Sequence, residues 1–597
     1  MDKKRAFKLR FRRKLRLQKR QVEELSAQAE QRLENDFFKR LERLGNVRRF
    51  VATWVLLLVL LIGSVVAQTR SLNGYYQVMG PVLGGTYTEG VLGAFTNANP
   101  VYATDIVDTS VSRLLFSGLL TYNEQNELTG DLAEWWSVDQ NGTLYTVRLK
   151  PDLRWHDGRP LTANDVAFTY QVIQNPDARS PLYNSWQGIA VQAVDERTIT
   201  FTLPNVLASF PYSLTNGIVP KHILGGAPMA DMRSVSFNST RPIGSGPFQW
   251  QAIELSGGSA DKREEHILLK ANANYHMGKP KLANFVVRTF RSTESLTDSF
   301  KRQELNAAVG LTSVPDELKE NKGMQVHNLP LTAAVMTFFK TTEGVLSDVK
   351  VRQALVQAVD TAAIIKNLDY ATRPVRSPLL IGQTGYNPTH MQLLYNPAAA
   401  AALLDGAGWV MGKDGYRSRG GVPLTFRLSV HNSTEYVDIA KQLANMWRAI
   451  GAKAELEVAV DEATFQATLS NHSYQALLYG ISIGVDPDVY VYWHSSQADV
   501  RAPVRLNFSE YKSPVADAAL EGGRTRLDPA LRVAKYQPFL QAWQGDAPAL
   551  GLYQPRFLYL SRGIVHGLNE RPINTDAGRF TNVHNWQIRE AWQTPKR

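Results

Sequence analysis

Residues 154–170 read RWHDGRPLTANDVAFTY. Read as local chemistry, the segment builds a joint. Asp157-Gly158 is a turn pair and Pro160 ends the turn. Thr162-Ala-Asn-Asp165 then has the spacing of a capping box: the Thr162 hydroxyl takes one orphan N–H, and the Asp165 carboxylate reaches back to the N-cap. Leu161 and Val166 stand where a hydrophobic staple requires them, and the helix runs on through Phe168 and Tyr170. Upstream, GTLYTVRLK at 142–150 alternates as a half-buried strand begun by the Asn141-Gly142 turn. A strand, a tight turn and a capped helix thus follow in succession. His156 and Asp157 then belong to the turn, because no neighbour supplies a nucleophile or a third catalytic member.

Outward from this joint, the chain is too long for one core, at 597 residues. It has no cysteine, which excludes disulfides, thiolate metal sites, a cysteine nucleophile and a lipidated-cysteine anchor. The net charge of +11 is concentrated at one end. Residues 1–50 hold 17 Lys+Arg against 7 Asp+Glu, and the remaining 547 hold 49 against 48. The main body is nearly neutral, so the composition gives no support to nucleic-acid binding.

The basic run MDKKRAFKLRFRRKLRLQKR precedes a helical stripe of Val22, Leu25, Ala29, Leu33, Phe37, Leu41 and Leu44. This stripe predicts a helical tail over 1–49. FVATWVLLLVLLIGSVVAQT, residues 50–69, carries no charge. Twenty helical residues rise about 30 Å, the thickness of a bilayer core. Arg48 and Arg49 on one flank keep the tail in the cytoplasm and place the body outside. A 49-residue flank and a long apolar stretch favour an uncleaved anchor over a signal peptide. With Gly74, Gly80 and Pro81, residues 70–84 read as a tether.

The body carries a series of motifs. LFSGLLTYNEQNELTGDLAEWWSVDQNGTLYTVRLKPDLRWHDGRPLTANDVAF comes first, then RPIGSGPF, NANYHMGKPKL, LSDVKVRQALVQAVD, YNPAAAAALLDGAGW and AKQLANMWRAIGAKAEL. In this order they resemble the peptide-and-nickel class of extracellular solute-binding proteins, family 5, which feed ABC importers. The resemblance runs from about Gly85 to the C-terminus. It implies a two-lobed, periplasmic-binding-protein-like α/β fold with an extra subdomain in the larger lobe, here preceded by a single transmembrane helix. Lobe I with its subdomain is expected at 85–335 and lobe II at 336–552, with a return to lobe I at 553–597. The crossings fall near Leu329–Lys340 and Pro548–Leu560, both apolar and strand-like. Within lobe II, Ile439, Leu443, Met446, Trp447 and Ile450 form a helical stripe ahead of the strand AKAELEVAV.

The resemblance places a ligand in the cleft between lobes. YGISIGVDPDVYVYW, residues 479–493, is the loop expected to line it. Peptide-binding relatives often carry W-x-A-D-Y-P-D-P here, with the first Asp receiving the ligand's α-ammonium. Ile483 stands at that position. Asp486 and Asp488 remain as candidate acids, beside Ser482 in the same loop. Asn97, Asn99, Phe338, Phe339 and Trp493 are further candidate contacts. No catalytic, metal or cofactor motif appears: Ser245 is not in a nucleophile elbow, there is no P-loop and no H-E-x-x-H, and His431 and His494 read as satisfied polar residues. The expected function is a membrane-tethered, extracytoplasmic receptor for peptide-like solutes, partnered by an ABC permease with its ATPase. A surface sensor signalling through the tail and an envelope hydrolase are the alternatives.

Overall fold

The computed structural model describes residues 22, 26–27, 29–31, 48–76, 78–258, 263–502 and 504–593. Most of the tail stripe lies outside these residues. The chain divides into one unit up to Gly80 together with the residues from Glu590, and a second unit, Pro81–Arg589.

In the first unit a helix spans Arg48–Tyr76. Its stretch Phe50–Ser71 is long and apolar enough to cross a membrane, and none of it is buried in the protein. The segment expected as a tether, 70–84, carries regular structure. Residues 70–76 continue the helix, and Val78–Val82 form a strand. Like Gly63 earlier in the helix, an interior glycine at 74 costs only about 1 kcal/mol, and the first residue unable to donate to a helix is Pro81.

The second unit is built on two large sheets. One has seven strands, in the spatial order 324–330, 556–562, 307–309, 86–92, 284–290, 264–271, 248–256. The other has five, in the order 453–458, 425–430, 476–482, 333–339, 549–553. Two pairs of neighbours link them. Met324–Pro330 pairs antiparallel with Arg556–Arg562 in the first sheet, and Ala333–Phe339 pairs antiparallel with Ala549–Tyr553 in the second. The chain therefore passes between sheets twice, side by side, and the Leu331 N–H donates to the Pro555 carbonyl at 3.0 Å.

The strand AAVMTFF shows why these crossings read as apolar runs. Val335 and Phe339 enter one core of the second lobe, while Ala334, Met336 and Phe338 enter the core on the opposite face. A central strand buried on both faces has no polar side to show. The first of these cores is closed by the helix Thr434–Ala449, which buries Ile439, Leu443 and Trp447 and leads through Gly451 into the strand Lys453–Val458. The second is closed by the helices Pro514–Arg524 and Pro529–Asp546.

A four-stranded antiparallel sheet forms a subdomain that shares the first lobe's core. Its spatial order is 133–138, 144–149, 198–202, 190–193. The strand Leu144–Leu149 enters after Gly142 at φ +77°, and the helix Ala163–Gln174 follows the Asp157-Gly158 turn. The Thr162 N–H donates to the Asp165 carboxylate at 2.9 Å, and Leu161 and Val166 are buried beside it. His156 fastens this joint to the motif RPIGSGPF. Its Nδ1 accepts from the Gly244 N–H and its Nε2 bonds the Gly246 carbonyl, each at 3.1 Å. The ring is therefore a neutral tautomer with the proton on Nε2. A Cβ at Gly244 would lie 1.9 Å from the Leu115 carbonyl oxygen, so this close approach requires glycine.

Candidate functional site

Beyond the end of the strand Ala476–Ser482, the loop 483–488 turns across the crossings. The Ile483 and Gly484 N–H groups both donate to the Thr332 carbonyl, at 3.0 and 2.9 Å. Gly484 takes φ +78°, a left-handed conformation that favours glycine. This pinning sets Gly484, Val485, Asp486 and Pro487 into the wall of a cavity of about 840 Å³. The first lobe contributes Gln125, Asn126, Glu127, Tyr212, Glu570 and Pro572 to that wall. The crossings add Asn328, Pro330, Thr332, Gln554, Pro555 and Arg556, and the second lobe adds residues 371–373, 380–384 and Arg532. The volume and the mixture of polar and apolar groups suit a small organic ligand.

The two candidate acids have partners within the protein. Asp486 is buried and forms a bidentate pair with Arg532, at 2.7 and 2.8 Å. Arg532 also donates to the Gly523 carbonyl at 3.1 Å. Burial works against its charge, but Asp486 outweighs burial, and the guanidinium is held above its ordinary pKa. Asp488 turns the other way. One of its oxygens accepts from Arg524 at 3.1 Å and from the Ser209 hydroxyl at 2.9 Å. Ser209 comes from the first lobe, and the neighbouring Ala208 N–H donates to the Arg524 carbonyl at 2.8 Å. The lobes thus touch at Asp488, beside the cavity.

Of the expected ligand contacts, the structure brings Asp486 alone into the cavity wall. Ser482 is exposed, with its carbonyl accepting from the Tyr492 hydroxyl at 2.7 Å. Ile483 is buried in the second lobe's core. Phe338, Phe339 and Trp493 are core residues and not cavity residues: Phe338 packs on Trp493 with ring centroids 5.8 Å apart, and Phe339 packs on Trp447. The strand that carries both phenylalanines sends its side chains above and below the sheet, whereas the cavity lies past its end. Asn97 and Asn99 are also buried, shaping their own loop. The Asn97 side-chain oxygen accepts from the Asn99 N–H at 2.8 Å, and the Asn99 amide donates to Asn238 at 3.0 Å.

Three arginines of the wall went unrecognised in the sequence: Arg373, Arg532 and Arg556. Arg556 is fixed by Asp369 at 2.8 Å and lies 3.8 Å over the Tyr370 ring. Nearby, the Tyr370 and Tyr553 hydroxyls donate to Glu435, whose carboxyl burial pushes up. Tyr212 stays protonated, its phenol raised by burial and then by the charge of Asp486. No local pattern marks these residues, because each reaches the cavity wall by its place in the fold.

Comparison with known proteins agrees with this architecture. Residues 127–501 match the model of bacterial extracellular solute-binding proteins, family 5 Middle. The oligopeptide-binding protein AppA of Bacillus subtilis is 27% identical over 485 residues, 80% of this chain and 87% of that protein. The structure of that protein in complex with a nonapeptide superposes with a TM-score of 0.67 at 25% identity, covering 85% of this chain and 100% of the other. NikZ from Campylobacter jejuni, in complex with Ni(L-His), gives 0.69 at 25% identity, covering 84% and 99%. The resemblance read from the motifs, the two-lobed α/β architecture and the family match agree, and the chain belongs to the bacterial extracellular solute-binding proteins of family 5.

Proposed function

We propose that this protein is a membrane-anchored, extracytoplasmic receptor that captures a peptide-like solute between its two lobes and delivers it to an ABC permease with its ATPase. The observation that carries the reading is the cavity of about 840 Å³ seated on the two crossings, with walls from both lobes. One relative of the same family is named for binding oligopeptides, and its structure holds a nonapeptide. In this reading lobe I spans 85–335 and 553–597, and lobe II spans 336–552. Closure about the adjacent crossings is driven by the ligand's higher affinity for the closed form. The apolar span Phe50–Ser71 holds the receptor in the membrane, with the basic tail 1–49 in the cytoplasm.

The full-length protein, purified in mild detergent without a wash of denaturant, tests the proposal. Mass spectrometry of the released small molecules should find peptides or peptide-like compounds. Added back, these should reduce the radius of gyration in small-angle scattering. Release of sugars or lipids alone, or an unchanged radius at saturation, refutes the reading. Intact-mass analysis of the membrane fraction should find the chain uncleaved; a mature chain beginning near Gln68 removes the anchor.

A further inference from the structure

Resting on the reading of the cleft as a peptide-like solute site, we infer that this cleft reads the carboxylate end of its ligand, through Arg373, and not the ammonium end. Three arginines line the cavity, and two of them are committed. Arg532 is locked in its bidentate pair with Asp486. Arg556 is held by Asp369 and Asn328, with 6% of its side chain exposed. Arg373 differs from both. It is exposed on the cavity wall, and among the described residues its guanidinium has neither an ion pair nor a hydrogen bond.

Its backbone, by contrast, is fixed. The Gln554 N–H donates to the Arg373 carbonyl at 2.9 Å and the Val375 N–H to the Leu552 carbonyl at 3.1 Å, so residues 373–375 run along the crossing strand. A fixed base bearing an uncommitted planar fork is the arrangement that recognises a carboxylate with two parallel hydrogen bonds. Closing the lobes removes water around that pair and strengthens it.

The acids of the wall do not offer an equivalent place for an ammonium. Asp486, the loop acid nearest the family's amine position, is neutralised by Arg532, and Ile483 stands at that position itself. Glu570 is 57% exposed and bonded to His327 at 2.9 Å. Glu127 is exposed and accepts from the Asn123 amide at 3.0 Å. Solvated carboxylates of this kind discriminate weakly.

The test uses the full-length protein in detergent micelles and one randomised tetrapeptide pool in four forms: free, N-acetylated, C-amidated and capped at both ends. Captured peptide is quantified by mass spectrometry across protein concentrations. The free and N-acetylated pools should bind within about twofold of each other, and amidation should weaken binding about tenfold, equivalent to about 1.4 kcal/mol. Arg373→Gln should bring the two acid forms down to the amidated level and leave the amidated level unchanged. Arg373→Lys, a point charge without the fork, should restore only part of the preference. A carboxylate preference that survives Arg373→Gln, or loss of binding on N-acetylation with indifference to amidation, overturns the inference and leaves the peptide reading standing. Failure to capture any of the four pools with a folded protein overturns both.

Discussion

Two segments of this chain carry the side chains of chemistry, and they use them differently. In the joint at 154–170, His156 bonds only the backbone of its own lobe, at Gly244 and Gly246. In the loop at 483–488, Asp486 faces the cavity while paired to Arg532, and Asp488 reaches the other lobe at Ser209. The first segment fixes one rigid body. The second lies where two bodies meet, so its charges can alter binding as well as stability. The two segments differ in their position relative to the two lobes, not in the chemistry of their side chains.

The contrast can be broken most severely at Arg532. Arg532→Gln leaves Asp486 buried without its counter-charge and should destabilise the second unit by about 3–5 kcal/mol, read as a lowered denaturation midpoint. A loss under 1 kcal/mol would show that Asp486 is already well solvated.

The joint is tested by acid. Burial lowers the His156 pKa from its ordinary 6.5 to about 4, against the pull of the Gly246 carbonyl and Asp157. Between pH 6.5 and about 4 the unfolded chain binds this proton and the folded chain does not. Its stabilising contribution is therefore complete above 6.5 and is lost as the pH falls toward 4. The wild type should lose about 3 kcal/mol more than His156→Gln across that window, with equal ligand affinity in both at pH 7. Parallel stability curves, or weakened binding with unchanged stability, would move His156 out of a purely structural role.

Smaller effects should fall on the contact between lobes. Asp488→Asn removes the charge that holds Arg524 and Ser209 together. Ligand release, followed by stopped flow, should quicken three- to tenfold, about 1 kcal/mol, with little change in melting temperature. The smallest change should come from Ser209→Ala, about 0.5–1 kcal/mol on the same rate. In a double-mutant cycle it should be non-additive with Asp488→Asn. Additive effects would mean that the two residues act separately.

Much of this architecture is legible in the chain alone, and the reason is locality. The 20-residue apolar span needs only its length and its missing charges. The capped helix after Thr162, the stripe Ile439–Leu443–Trp447 and the two apolar crossings are short-range patterns that survive as helix and strand in the fold. The helix through Arg70–Tyr76 was not legible, because Gly74 and Gly80 read equally well as a tether. What the tertiary structure alone decided is which charges face the cavity and which are already satisfied. Asp486 and Arg532 lie 46 residues apart, and Asp488 and Ser209 lie 279 apart. Nothing in the spacing of a sequence encodes such pairs, because electrostatic partnership depends on distance in space and on burial. Arg373 is an ordinary arginine before a proline in the chain; the fold alone leaves its guanidinium open to the cavity while engaging the other two.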